Sequence, residues 1–437
     1  MDWIFILLAL VALYAIAAYY IHSKKLWAEH IVFYGPIMAI RSRRVGFFDR
    51  FTRFHRFLRV YGTIGALIVI FVSVTMVALL FVALYGNVVN PQQPTAVNDP
   101  RNILAIPGVN QFIPFTFAVC FALFFTLAIH EFGHAFLARV EKLKVNFIGI
   151  LWCVVPIGAF VEPDEAEFEK LHGMPKIRML GAGITNNMVA GFACFVLLVL
   201  LLGMAVPLQT PMINSVYKDY PADRAGIVPD SVILSVNGVP VTTQAEVAAI
   251  LNTTHPGDQV VMVTEKDGIS SSHQLTLTSR PQNMSQTQSG FMGVTYYDAS
   301  GIKQIFNGFA SPLGFAVMLA IPVYVILYPV EWGSFLILVN DSANAVAWSV
   351  PFPGYWLVVQ ILFWCAWFNI TVGLCNALPL VPFDGGYIFK EGVERLLEPR
   401  GLLKYSEQIV LTVSYIMVLI LVLAFTLPQI MHALGYS

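Results

Sequence analysis

His130-Glu-Phe-Gly-His134 closes an uncharged run that begins at Phe112. In a helix, positions i and i+4 share one face about 6 Å apart. Two imidazoles so placed can hold one Zn²⁺, and the intervening Glu131 can take a proton from a water on the metal. The alternative is a helix end whose histidines sit in the headgroup layer. Ionisable groups inside an apolar span are costly and usually functional, which favours the metal reading.

Two histidines need a third protein ligand. Glu141, Glu162, Asp164 and Glu165 follow soon after the pair, but they lie near the water-exposed side of their loop. Asp384 is the stronger candidate. It stands in Asn376-Ala-Leu-Pro-Leu-Val-Pro-Phe-Asp-Gly-Gly386, directly after the apolar segment 356–378. Pro379 and Pro382 forbid a regular helix there, and Gly385-Gly386 permits a tight turn. A broken chain within a membrane is tolerated where protein or a water-filled cavity receives its polar groups. Taken alone, this aspartate is equally well a turn or cap residue.

The elements that carry these residues are membrane helices. Of 437 residues, 57% are hydrophobic and 12% charged, about half the charge of an average soluble domain. The mean hydropathy is +0.71. Stretches 3–20, 62–87, 112–139, 180–208, 356–378 and 407–428 approach or exceed the 20 or so apolar residues that cross a bilayer. The first has no basic residue before it and Lys24 and Lys25 after it, so a retained helix is expected over a cleaved signal. The net charge of −1 excludes a dedicated nucleic-acid binder. Cys120, Cys153, Cys194, Cys365 and Cys375 form no CxxC pair and are read as small buried residues.

Basic residues in short loops set the orientation. Loop 21–60 carries seven arginines and two lysines against Glu29 and Asp49, so it is expected in the cytoplasm, with Met1 outside. Around Phe47, Phe48, Phe54 and Phe57 it is suited to the membrane surface. Loop 140–179 is expected inside and residues 209–300 outside. The latter are polar, with short alternating runs and turns such as Val236-Asn-Gly-Val-Pro240, and read as a compact β-rich domain with one short helix over 242–251. Region 306–350 is apolar but holds Pro312, Pro322 and Pro329 and is broken by Glu331, Asn340 and Asp341. For Asp384 to reach the histidines, crossings between 300 and 356 must be even in number, so this region is a hairpin or, preferably, a non-spanning gate. Segment 407–428 then leaves Ser437 outside.

With these motifs in hand, the sequence resembles the site-2 protease family of intramembrane zinc metalloproteases. HExxH at 130–134 and NxxPxxxxDGG at 376–386 match its two diagnostic motifs in order and separation. Phe383 replaces a frequent leucine. The resemblance implies one Zn²⁺ per chain on His130, His134 and Asp384, with Glu131 and Asn376 catalytic. Gly183, Asn187 and Gly191 match a GxxxNxxxG pattern on the next helix. Stretch 146–161 resembles the family's membrane-embedded β-hairpin, whose free edge can pair with an extended peptide. Gly158, Phe160, Gly183 and Asn187 are accordingly expected at the substrate. Pro221–Gly226 and Asp230–Gly238 resemble the inserted PDZ domain of many members.

The expected fold is a multi-pass α-helical membrane protein with a membrane-embedded β-hairpin and an inserted small α/β PDZ-like domain. Its expected parts are 1–111 (helices and basic loop), 112–208 (first half of the catalytic core), 209–300 (extracytoplasmic PDZ-like domain), 301–355 (gate) and 356–437 (second half of the core and last helix). Expected partners are the bilayer and transmembrane protein substrates, such as membrane-anchored regulators or remnant signal peptides, with no nucleic acid. An ion-coupled transporter also uses intramembrane charges and broken helices, but no internal repeat is visible. A non-catalytic PDZ scaffold has no use for an intact HExxH.

Overall fold

A computed structural model describes residues 2–91, 93–281, 289–328, 332–340 and 343–435. Expectations resting on Met1, Pro329, Glu331, Asp341 and Ser437 lie outside the described residues. In chain order the elements are α1 (Asp2–Ser23), β1 (Ile31–Tyr34), β2 (Ile37–Ser42), α2 (Gly46–Asp49), α3 (His55–Val89), α4 (Phe117–Val140), β3 (Val145–Cys153), β4 (Val155–Pro163), α5 (Glu165–Glu169) and α6 (Met174–Met204). Next come β5 (Val206–Pro207), β6 (Ile213–Val216), α7 (Pro221–Arg224), β7 (Val232–Val236), β8 (Val239–Pro240), α8 (Gln244–Leu251), β9 (Gln259–Lys266), β10 (Ile269–Thr276) and β11 (Val294–Tyr296). The remainder is α9 (Ala299–Gly308), α10 (Pro312–Leu327), α11 (Leu336–Val339), β12 (Trp348–Ser349), α12 (Tyr355–Asn376), α13 (Asp384–Leu397) and α14 (Ser406–Ala433).

Five of these helical stretches are long and apolar enough to cross a membrane: 46–89, 117–140, 174–204, 355–376 and 403–433. The chain is a multi-pass helical membrane protein. Helix α4 starts five residues later than the apolar run suggests, after a Pro114 that favours extended backbone before it. The chain divides into two compact units, 1–109 with 119–194 and 364–437, and 110–118 with 195–363.

In the first unit, helices α3, α4 and α6 share a core of Ala66, Val69, Leu137, Ala138, Ile177, Leu180, Ala182 and Ile184, which Ala377 and Ile388 complete. Small residues bring the backbones together, as expected where lipid offers no hydrophobic drive for association. A Cβ at Gly133 would stand 2.4 Å from the Ala182 carbonyl oxygen. One at Gly191 would stand 2.9 Å from Ile370. Asn369 of α12 donates to Thr126 of α4 at 2.8 Å, tying those helices one turn before His130.

The expected hairpin over 146–161 is present as β3 and β4, but it belongs to a four-stranded sheet ordered β1-β2-β3-β4. Strands β1 and β2 come from the basic loop 21–60, expected from its charge as a cytoplasmic loop and not as strands. Their signal was the apolar pair Ile31–Tyr34 and Ile37–Ile40 around Gly35, which holds φ +62° in the turn. Gly149 of β3 has no room for a side chain, because a Cβ would meet Ile40 O at 2.4 Å and the Phe160 ring at 2.5 Å.

The second unit contains a sheet ordered β10-β9-β7-β8, a β11-β6 pair and a β12-β5 pair. Ile213, Ile233, Val236, Val247, Val260, Met262 and Leu275 form its polar region's core. Thr243 and Glu246 make a capping box at the start of α8. Lys303 of α9 donates to Leu202 O and Gly203 O, carbonyls that the end of α6 leaves unpaired. Helix α10 has 16 residues. That is about 24 Å of rise, short of a hydrocarbon core of roughly 30 Å. All five cysteines are free; Cys194 and Cys365 are buried, Cys120 and Cys153 half-buried, and Cys375 exposed rather than buried as expected.

Candidate metal centre

His130 and His134 lie one turn apart on α4, and their Nε2 atoms are 3.1 Å from each other. Asp384 Oδ2 is 3.1 Å from Nε2 of His130 and 3.3 Å from Nε2 of His134. All three side chains are at least 85% buried. Buried Oδ2 makes no hydrogen bond. The three atoms converge on one point, each 3.1–3.3 Å from the other two. Donors placed 2.0–2.1 Å from a tetrahedral ion lie about 3.3 Å apart, so this triangle fits a small cation bound by two nitrogens and one carboxylate oxygen.

Asp384 reaches the histidines because α12 stops at Asn376 and α13 starts at Asp384. The seven residues between them turn back through a cis Val381–Pro382 peptide. Val381 N–H donates to Ser414 Oγ at 3.1 Å, which anchors the turn on α14. The two glycines do not make the turn, contrary to the expectation above. They lie in the first turn of α13, with neither at positive φ. Their role is close approach: a Cβ on Gly385 would stand 2.4 Å from Ala377 O, and one on Gly386 2.5 Å from Val381 N.

Both imidazoles are held from behind. His134 Nδ1 lies 2.9 Å from the Met179 carbonyl oxygen. A carbonyl only accepts, so Nδ1 carries the proton and the Nε2 lone pair faces the site. His130 Nδ1 lies 3.3 Å from Nδ2 of Asn187. Asn187 is 0% exposed, and its Oδ1 has no partner. A half-turn of the amide puts that oxygen on His130 Nδ1–H and leaves Nε2 free in the same way. Asn187, expected at the substrate, is therefore sealed behind His130. Gly183 lies over the donors themselves: a Cβ there would be 2.6 Å from His134 Nε2 and 2.8 Å from His130 Nε2.

Glu131 points to the sheet. Its Oε2 accepts Val161 N–H at 2.9 Å. Strand β4 is the outer strand of its sheet, so this N–H belongs to the unpaired edge, and Oε1 of Glu131 has no hydrogen-bond partner among the described residues. Phe160 crosses to Gly149 on the neighbouring strand. Gly158 is buried but has space, its nearest neighbour being Leu151 at 3.6 Å. Asn376 is half-buried at the end of α12, and no partner holds its side chain among the described residues. Three of the four other acidic candidates are engaged elsewhere: Glu141 pairs with Arg178 at 2.9 Å and Arg59 at 3.3 Å, Glu162 with Arg41 at 4.0 Å, and Asp164 caps α5, while Glu165 lies in the first turn of that helix. Sequence reasoning missed Met179 and Val161, which act through backbone atoms and leave no side-chain signal.

Comparison with known proteins finds similarity to metalloproteases. A putative zinc metalloprotease of Mesorhizobium japonicum is 25% identical over 65% of this chain and 89% of its own length. Zinc metalloprotease Rip1 of Mycobacterium tuberculosis is 24% identical over 63% of this chain and 84% of its own. The probable protease eep of Enterococcus faecalis is 23% identical, the match spanning 54% of each protein. The PDZ domain of an SdrC-like protein from Listeria monocytogenes aligns with 22% of this chain at a TM-score of 0.19 and 16% identity, which carries no fold assignment. The profile of peptidase family M50 matches residues 118–421, a span that holds both histidines and Asp384. The chain belongs to peptidase family M50, the site-2 protease family of metalloproteases.

Proposed function

We propose that this chain is an intramembrane zinc endopeptidase that cleaves transmembrane segments of other membrane proteins. The observation that carries the reading is the triangle of His130 Nε2, His134 Nε2 and Asp384 Oδ2, with edges of 3.1–3.3 Å, whose two histidines share helix α4 with Glu131. His130, His134 and Asp384 would hold one Zn²⁺, which would supply Lewis-acid polarisation of the scissile carbonyl and a lowered pKa for the attacking water. Glu131 accepts a proton on its free Oε1 and delivers it to the leaving amine. Its other oxygen, held by Val161 N–H, keeps the carboxylate beside the sheet edge. A substrate helix unwinds first, because helical hydrogen bonds occupy its carbonyls. The unwound strand pairs with the free edge of β4 beside Gly158 and Phe160, in a part of the sheet embedded in the membrane. Asn376, with its amide unengaged, holds a substrate carbonyl.

The site lies toward the cytoplasmic end of α4, where water reaches it. Residues 209–300 form an extracytoplasmic PDZ-like domain that biases substrate choice and contributes no chemistry. Region 301–355 is a gate, in keeping with a helix α10 too short to span. Elemental analysis and a cleavage assay test the site together. Purified protein is expected to hold one zinc per chain; Glu131→Gln keeps it and loses cleavage, and His134→Ala and Asp384→Ala lose most of it. Full zinc in both ligand variants overturns the assignment.

A further inference from the structure

The segment that leads into α3 has a character of its own. Residues 41–60 contain seven arginines and one acid, Asp49. Asp49 is consumed by Arg139, its Oδ1 lying 2.5 Å from the guanidinium. Arg50, Arg53 and Arg56 recur every three residues, are exposed, and have no ion pair among the described residues. Phe54, 47% exposed, and Phe57, 68% exposed, directly follow Arg53 and Arg56. The Arg53 guanidinium stacks 4.5 Å over the Phe54 ring. Exposed phenylalanines interleaved with unpaired arginines suit a surface that is anionic above and apolar below. The uncharged run of α3 begins just after Arg59, in a helical stretch long and apolar enough to cross a membrane, which suits these side chains to the headgroup layer.

The opposite face of the same segment grips the HExxH helix. Phe48 is 1% exposed. Its ring packs edge-on to Phe132 at 5.8 Å and to Phe136 at 5.2 Å, and Phe51 packs on Phe136 at 4.7 Å. Phe132 is the residue between Glu131 and Gly133 of the motif, so the clamp touches the turn that carries both imidazoles.

We propose that residues 50–57 are a docking surface for anionic phospholipid headgroups, and that lipid bound there braces the HExxH turn through Phe48. Each arginine near an anionic surface contributes roughly a fivefold preference, so three together give on the order of a hundredfold. The coupling rests on the protease reading, whereas the lipid binding does not. The test places the full zinc-loaded chain in nanodiscs of phosphatidylcholine with or without phosphatidylglycerol. Retained lipid is read by native mass spectrometry and cleavage is read separately. Wild type is expected to retain phosphatidylglycerol preferentially and to cleave faster when it is present. Arg50→Gln/Arg53→Gln/Arg56→Gln loses both effects, and the triple lysine variant keeps the lipid preference. Phe48→Ala keeps the lipid preference, which also reports an intact fold, but loses the gain in cleavage. Unchanged phosphatidylglycerol retention in the glutamine variant overturns the docking surface. A wild-type gain in cleavage for Phe48→Ala overturns the coupling. Absence of cleavage in every lipid, with lipid preference intact, counts against the protease reading alone.

Discussion

Asn187 Nδ2 stands 3.3 Å from His130 Nδ1, and Asn187 is wholly buried behind the imidazole. A metal-binding histidine needs an acceptor on its far nitrogen to fix ring orientation and tautomer. Asn187→Leu is therefore expected to lower zinc affinity by roughly 10–100-fold, while Asn187→Asp, which keeps an acceptor, restores most of it. Chelator competition on purified protein measures this. Equal affinity in wild type and the leucine variant would assign Asn187 to helix packing only.

Gly183 tests the space above the donors. A methyl group there starts 2.6 Å from His134 Nε2, so Gly183→Ala should expel the metal or displace α6. The expected result is loss of bound zinc and of cleavage together. Gly203→Ala on the same helix, with nothing within 4 Å of its Cβ, serves as the control and should be close to wild type. A zinc-replete, active Gly183→Ala contradicts the packing described.

Val161 tests the link between strand edge and base. Val161→Pro removes the N–H that holds Glu131 at 2.9 Å without costing a ladder bond, since that N–H faces away from β3. Cleavage is expected to fall by at least an order of magnitude, in line with loss of a charge-assisted hydrogen bond of about 1.5–3 kcal/mol, while zinc stays bound. Val161→Ala keeps the N–H and should keep activity. Matching rates for the two variants would mean that this hydrogen bond has no part in the reaction.

Topology can be read from the ends of the gate region. In a background lacking the five native cysteines, single cysteines at Gly301 and Pro353 should react with a membrane-impermeant reagent from the same, outer face. Labelling from opposite faces would require an odd number of crossings between them and would put Asp384 on the wrong side of the bilayer from His130.

The sequence by itself determined the chemistry and the broad class. HExxH announces a metal pair because 3.6 residues per turn places i and i+4 on one face, and long uncharged runs announce membrane helices because a bilayer core accepts little else. Asp384 was legible as a carboxylate in a proline-broken turn after a span. Only the tertiary structure decided what these residues touch. Gly385 and Gly386 looked like turn residues and are contact residues, since glycine serves both purposes and sequence does not distinguish them. Asn187 looked like a substrate contact and lies behind a histidine, because a helix position gives no rotation about the helix axis. Strands β1 and β2 were hidden in a basic loop, where arginines that belong to the loop outweighed a short apolar hairpin. Met179 O and Val161 N–H were out of reach of any motif. They are backbone atoms, identical at every position, and only folding brings them to an imidazole and a carboxylate.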